Sequence, residues 1–234
     1  LFSCGSRENK QAEENKATQQ VSTNDSTEND EGWREIMGSV VKIDSYDNER
    51  ILESGQGFFV AENLVVTRYS LVGAANNVNI TPLDTDKKFN TKKYVAVDRI
   101  NDLVILQVDS VKRKPIELFQ GEAPNSAKSI YISPNSVQTI QLFTGKVLNL
   151  AIVQGTKVYR LSNVIRNANF GMPIFVSNKK VIGVAYAAVE SYQLQSFAIP
   201  SFYISEMLSK RKITPETLES LRSVSNAAVA AENR

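Results

Sequence analysis

Apolar residues are sparse at the start of the chain and frequent after it. Between Gly5 and Gly32 only Ala12, Ala17 and Val21 are apolar, set among Gln, Asn, Ser, Thr and acidic residues. Such a stretch buries too little surface to offset its ordering entropy, so residues 1–32 are expected to form a disordered tether. From Ser39 to Pro200 helical periodicity is poor, and short β-branched and aromatic runs recur between Asn, Asp, Gly, Ser or Pro. The first set is Ser39–Ile43, Gly57–Val60, Leu64–Thr67, Asn77–Leu83, Tyr94–Ile100 and Leu103–Val108. After a break rich in Lys, Pro and Gly come Ser129–Ser133, Gln138–Val153, Lys157–Ile165, Pro173–Val176, Val181–Val189 and Gln195–Ile199. Evenly spaced strands with turn signals predict an all-β domain, either paired antiparallel barrels or a sandwich.

Within the runs, Asn77-Val78-Asn79-Ile80 alternates as a half-exposed strand does, whereas Leu103-Val104-Ile105-Leu106 is continuous, as in a strand buried on both faces. Lys87-Lys88 and Lys92-Lys93 flank a strand, an arrangement that protects a sheet edge against further pairing. After Pro200 the period changes. Phe202, Ile204, Met207 and Leu208 share one helical face, and Thr214-Pro215 reads as the start of a second helix with Leu218 and Leu221 on its apolar side. The expected organisation is a tether at 1–32, a domain at 33–212 (halves at about 38–110 and 128–200, helix 200–212), then a helix and frayed Ala-rich tail at 213–234.

Charge and composition exclude more than they specify. The tether carries three basic and seven acidic residues, net −4, which leaves +6 for the rest of a chain whose formal total is +2. That balance makes no case for nucleic-acid binding. The chain contains no histidine and one cysteine, Cys4. It therefore holds no Ser-His-Asp or Cys-His system, no His-ligated metal site, no intrachain disulfide and no thiolate cluster. No cofactor or metal is expected. Asp44, Asp47, Asn48 and Glu49 form an acidic loop without calcium-loop spacing and are read as solvated, as is Lys179-Lys180 in a hairpin turn.

Two resemblances add to this reading. Leu1-Phe2-Ser3-Cys4 resembles the lipobox of bacterial lipoproteins, whose cysteine thiol and amine are acylated. It implies a lipid-anchored protein of the bacterial cell envelope, held on a membrane through Cys4 and the polar tether. The second covers about Ser39 to Leu208. Gly55-Gln56-Gly57-Phe58-Phe59-Val60 with Asn63-Leu64-Val65-Val66-Thr67, then Asp98-Arg99-Ile100-Asn101-Asp102-Leu103, then Ala168-Asn169-Phe170-Gly171-Met172-Pro173 resemble, in that order, three segments of the trypsin-fold serine peptidases of the bacterial Deg/HtrA kind. That family is built from two antiparallel six-stranded barrels with C-terminal helices, which is the fold the resemblance implies. It also implies a triad whose base position holds Ser70, whose aspartate is Asp102 and whose nucleophile position holds Phe170.

The resemblance further places an oxyanion donor on the backbone N–H of Ala168, within the turn Ala168-Asn169-Phe170-Gly171. Ala168 and Met172 stand where the family has glycine, and a Cβ resists backbone angles that glycine accepts. Phenylalanine supplies no nucleophile and serine no base, and losing that pair removes on the order of a million-fold in kcat. Asp102 then needs a partner for its charge, with Arg68 and Tyr69 nearest in sequence. Phe170 fills the emptied cleft or contacts a ligand. The expected function is a catalytically inactive pseudopeptidase that binds a peptide or protein partner between its barrels. The alternatives are a divergent serine endopeptidase or hydrolase with a non-standard site, and a structural envelope lipoprotein with no ligand in its groove. Mass spectrometry of protein from the native host should find acyl chains on Cys4; an unmodified Cys4 removes the anchor.

Overall fold

The computed structural model describes residues 27–136, 139–190 and 192–222. Cys4, the lipobox-like start and the Ala-rich end lie outside the described residues. Helix α1 (Thr27–Met37) takes residues 27–32 out of the stretch expected as a tether. Its last turns bury Trp33 and Met37, one helical turn apart, and Trp33 meets Phe175 edge-on at 5.2 Å. With apolar residues only near its end, this helix has no periodicity to read in the polar segment.

The N-terminal half is an eight-stranded curled sheet of β1 (Val40–Asp47), β2 (Arg50–Ala61), β3 (Leu64–Arg68), β4 (Asn77–Pro82), β5 (Phe89–Thr91), β6 (Lys93–Asp98), β7 (Leu103–Gln107) and β14 (Glu216–Thr217). Its order is β14-β6-β7-β3-β2-β1-β4-β5. The C-terminal half is a closed six-stranded barrel of β8 (Lys128–Ser136), β9 (Thr139–Val153), β10 (Thr156–Leu161), β11 (Pro173–Phe175), β12 (Val181–Glu190) and β13 (Gln193–Pro200). The all-β, two-half architecture expected from the sequence holds. The N-terminal half, however, is a half-barrel with free edges rather than a second closed ring. Helices α2 (Tyr69–Val72) and α3 (Ser201–Lys210) complete the described elements that position the site.

All twelve apolar runs fall on strands, and the long Gln138 run is the single 15-residue strand β9, which pairs with both β8 and β10. Two strands carry no such run. β5 is three residues long and lies at the sheet's end, where Lys87 and Lys88 precede it. β14 replaces the first turn of the helix expected from Thr214: Glu216 pairs with Tyr94, and helical structure begins at residue 218. The Tyr94 hydroxyl donates to the Glu216 carboxylate, which offers the segment a strand pairing before it can coil.

Alternate residues of the central strands supply two different cores. Leu103 and Ile105 face the seam between the halves, with Phe58, Val66, Ile130, Phe175 and Val184. Val104 and Leu106 face the inside of the curled sheet, with Phe59, Val65, Ile80, Leu218 and Leu221. A strand buried on both faces reads as a continuous apolar run for this reason. A third cluster, including Tyr131, Tyr159 and Ile174, fills the closed barrel. Two acidic residues read as solvated have partners instead. Asp44 is buried and accepts from Ser54 Oγ at 2.6 Å, and Asp47 holds Arg222 at 2.9 and 3.3 Å.

Leu218 is fully buried and plugs the open mouth of the half-barrel. Leu218→Ala should destabilise the fold by about 2–5 kcal/mol in urea unfolding, whereas Ile213→Ser, at a fully exposed neighbour, should shift stability by less than about 0.5 kcal/mol.

Candidate active-site cleft

The site is assembled at the seam by three turns. The first follows β3, where Arg68 precedes the short helix α2 and Ser70 sits in its first turn. The second joins β6 to β7. There Asp98 accepts from the Asn101 backbone N–H at 3.0 Å and from Asn101 Nδ2 at 2.6 Å, and Asp102 adopts a left-handed φ of 52°. The third is the turn before β11, where residues Asn167–Asn169 form one 3₁₀ turn and Phe170 follows it.

Asp102 ties the first two together. Its Oδ1 accepts the Ser70 backbone N–H at 2.6 Å, capping α2 from a neighbouring turn, and its carbonyl accepts the Tyr69 N–H at 3.0 Å. Its Oδ2 accepts from Ser70 Oγ at 3.0 Å, from Arg68 Nε at 2.7 Å and from Arg68 Nη2 at 2.6 Å. Of the two neighbours expected to compete for this carboxylate, Arg68 forms the ion pair and Tyr69 contributes only its backbone. The guanidinium then lies between two aromatic rings, 5.2 Å from the Phe170 centroid and 5.2 Å from that of Tyr186 on β12. Residues 70, 102 and 170 are thus brought together, with Arg68 as the group that links them. Phe170 is half-buried and packs against the barrel cluster.

Four donors of the turn, the N–H groups of residues 169–172, are engaged within the protein. Asn169 N–H donates to the Arg166 carbonyl at 2.8 Å, Phe170 N–H to Asn167 at 3.0 Å, Gly171 N–H to Ala185 at 2.8 Å and Met172 N–H to Asn169 at 3.3 Å. Strand β2 holds this turn from below. Gln56 N–H donates to the Phe170 carbonyl at 2.8 Å, and Gln56 Nε2 lies 3.3 Å from both the Ala168 carbonyl and Asn169 Oδ1. Gly171 has φ of 90°, and a Cβ there would sit 2.1 Å from the Gln56 carbonyl, so this turn requires glycine. The Met172 side chain is fully buried inside the barrel, where it fills space rather than crowding the cleft.

Tyr186 and Gln56 carry no local signal as site residues. Each sits mid-strand and reaches the cleft only because its strand crosses the seam; the alternation within β12 marks which side Tyr186 faces but not what it meets. Burial, the largest cause, pushes the Tyr186 phenol up to about 12, Arg68 pulls it back, and Glu190 and Asp102 add to the rise. Beside these groups lies a cleft of about 390 Å³ lined by Arg68, Asp102 and Tyr186 at its floor and by Ile100, Ile152 and Val189 at its rim. Among the described residues, no three His, Cys, Asp or Glu side chains are grouped to hold a metal ion.

A family model described as the trypsin-like peptidase domain matches residues 55–184. Among solved structures, the chain is similar to the Rv3671c protease from M. tuberculosis in its active form. The two share 21% identity at a TM-score of 0.65, over 78% of this chain and 85% of that one. The serine endoprotease from Yersinia pestis gives 15% identity and a TM-score of 0.65 over 80% and 67% of the two chains. At these identities the likeness is one of fold. No curated protein matches the sequence.

The raised phenol makes a pH prediction. Its folded value lies above the ordinary phenol value of 10.0, so the stability it contributes is complete below pH 10 and is lost as pH rises toward about 12. Denaturation midpoints should therefore fall between these limits, and Tyr186→Phe should flatten part of that fall. Asp102→Ala leaves the guanidinium and the α2 donor without their acceptor and should destabilise the fold by about 1–3 kcal/mol.

Proposed function

The chain belongs to the trypsin-like peptidase domain family, and from that premise we propose that it is a member without catalysis, whose seam cleft binds an extended peptide or a segment of a partner protein. The observation that carries this reading is the Arg68 guanidinium at the floor of the cleft, anchored on Asp102 and 5.2 Å from both the Phe170 and Tyr186 ring centroids.

Acyl transfer needs a hydroxyl nucleophile, a base for its proton and donors for the oxyanion. No histidine exists in this chain to serve as base. Ser70 gives its hydroxyl hydrogen bond to Asp102 Oδ2, an oxygen already shared with two nitrogens of Arg68. The position matching the family's nucleophile holds Phe170. The N–H groups of residues 169–172 are donated to carbonyls of the protein, so the turn does not present them to a developing oxyanion.

The binding half of the reading rests on strand β12. It pairs with β13 from Gly183 to Glu190, but with β11 only from Val181 to Val184. Beyond Ala185, no strand among the described residues pairs with its other edge, and Tyr186, Ala188, Val189 and Glu190 of this stretch line the cleft. An open edge beside a groove accepts an extended peptide by strand addition. The motif order from Gly55 to Pro173 supports a domain of the bacterial Deg/HtrA kind, and the lipobox-like start supports attachment to a membrane of the bacterial cell envelope through an acylated Cys4. Purified chain should not turn over casein or peptide substrates, and a fluorophosphonate probe should leave it unlabelled. Labelling that disappears in Ser70→Ala would instead establish a divergent hydrolase.

A further inference from the structure

The geometry points to one end of the closed barrel as a docking surface for anionic phospholipid, separate from the peptide cleft and independent of Cys4.

Charge is distributed unevenly along the chain. From Ala123 to Val189 there is no Asp or Glu, yet there are seven Lys or Arg. Four of these are occupied. Lys157, Arg160 and Lys180 pair with Glu122, Glu190 and Glu117, which all lie outside that stretch, and the Lys179 ammonium sits over the Trp33 ring. The remaining three, Lys128, Lys146 and Arg166, are exposed and have no acidic partner among the described residues.

The strand register gathers these three at the same end of the barrel. β8 begins at Lys128, which stands directly opposite Lys146 on β9. Like charges so placed repel, a cost that a bound anion removes. Lys146 in turn adjoins Ser162: the Ser162 N–H donates to the Lys146 carbonyl at 3.0 Å, and the Lys146 N–H donates to Ser162 Oγ at 2.8 Å. From there Ser162, Val164 and Arg166 are exposed while Asn163 and Ile165 are buried, so Arg166 continues the outward face.

Aliphatic side chains are set among the cations. Leu148, just past Lys146 on β9, is 52% exposed, and Val164 precedes Arg166 on the outward face. Strand β13 starts at this end too, since Ser196 pairs with Leu161 and its hydroxyl accepts the Ile165 N–H at 3.0 Å. Leu194 is thereby exposed beside this segment, and Tyr192, in the turn that joins β12 to β13, is fully exposed. The one acidic residue in the six barrel strands, Glu190, is held by Arg160 at 2.6 Å.

This mixture selects the partner. A nucleic acid or other acidic polymer would engage the cations and leave the aliphatic groups in water. An anionic bilayer engages both: its phosphates meet the Lys and Arg side chains, the aliphatic groups leave water for the acyl boundary, and a tyrosine suits the headgroup level.

The test is flotation of the full chain carrying Cys4→Ser, which removes any acyl anchor, with vesicles of phosphatidylcholine alone or mixed with phosphatidylglycerol. The chain should float with the mixed vesicles, be released by high salt and stay behind with phosphatidylcholine alone. Lys128→Gln and Lys146→Gln should each weaken binding about fivefold. Both relieve a like-charge pair, so neither should lower the thermal midpoint. Lys88→Gln, at an exposed site in the N-terminal half, should leave binding unchanged. In Tyr192→Trp the added indole should shift its emission to the blue on mixed vesicles, against a constant background from buried Trp33. Absence of flotation, binding that ignores headgroup charge, or equal losses from Lys88→Gln and Lys146→Gln would overturn this surface. Binding to a duplex oligonucleotide as tight as to the mixed vesicles, at the same salt, would overturn the lipid assignment. None of these outcomes touches the peptide reading or the acylation of Cys4.

Discussion

A guanidinium pinned to a carboxylate between two aromatic faces is the constraint on which the seam depends. Asp102 carries a partly buried charge in the turn between β6 and β7, and a carboxylate withdrawn from water without partners is costly. Arg68 meets it through two nitrogens, and Ser70 through its hydroxyl and its backbone N–H. The rings of Phe170 and Tyr186 flank the same guanidinium, an arrangement that favours a planar, weakly hydrated cation over an ammonium. One ion pair thus fastens together the start of α2, the β6–β7 turn, the turn before β11 and strand β12. These elements come from both halves of the molecule.

That fastening needs a rigid frame, and the division of side chains supplies it. Neighbouring residues such as Phe58 and Phe59, or Val65 and Val66, point into different cores, one at the seam and one inside the curled sheet. Each central strand is therefore held from both faces. The turns that emerge from these strands inherit fixed positions, which is how a site built from loops can have defined geometry. Gln56 shows the link directly: it lies on β2 yet bonds the turn that carries Phe170 through both its backbone and its side chain.

The cleft divides its chemistry between floor and rim. At the floor, Arg68 and Asp102 neutralise each other. The rim is aliphatic and exposed, and the open edge of β12 lies beside it. In the proposed function, loss of a hydrolytic centre and retention of a strand-pairing groove are compatible because they use different groups. The first concerns three side chains and one turn, whereas the second needs only backbone along one strand.

Much of this was legible in the chain. Short β-branched runs between turn residues marked twelve of the fourteen strands, because a sheet's side-chain period is local and each run carries it. The absence of histidine, and the phenylalanine in the turn that ends at Pro173, were read directly. So was the pairing problem of Asp102, although Arg68 and Tyr69 could not be told apart until the turn showed which one points its side chain inward. Helix α1 was missed because its apolar residues occupy only its final turns, and β14 because two residues have no period. The open half-barrel was not legible either, since closure depends on which strands meet at the edges. Composition and local pattern thus determined the strands and the absence of histidine, both properties of residues taken one run at a time. Only the tertiary structure decided that Arg68, Phe170 and Tyr186 share one space and that β12 keeps an open edge, because contacts between distant segments arise from how the sheets curl and meet.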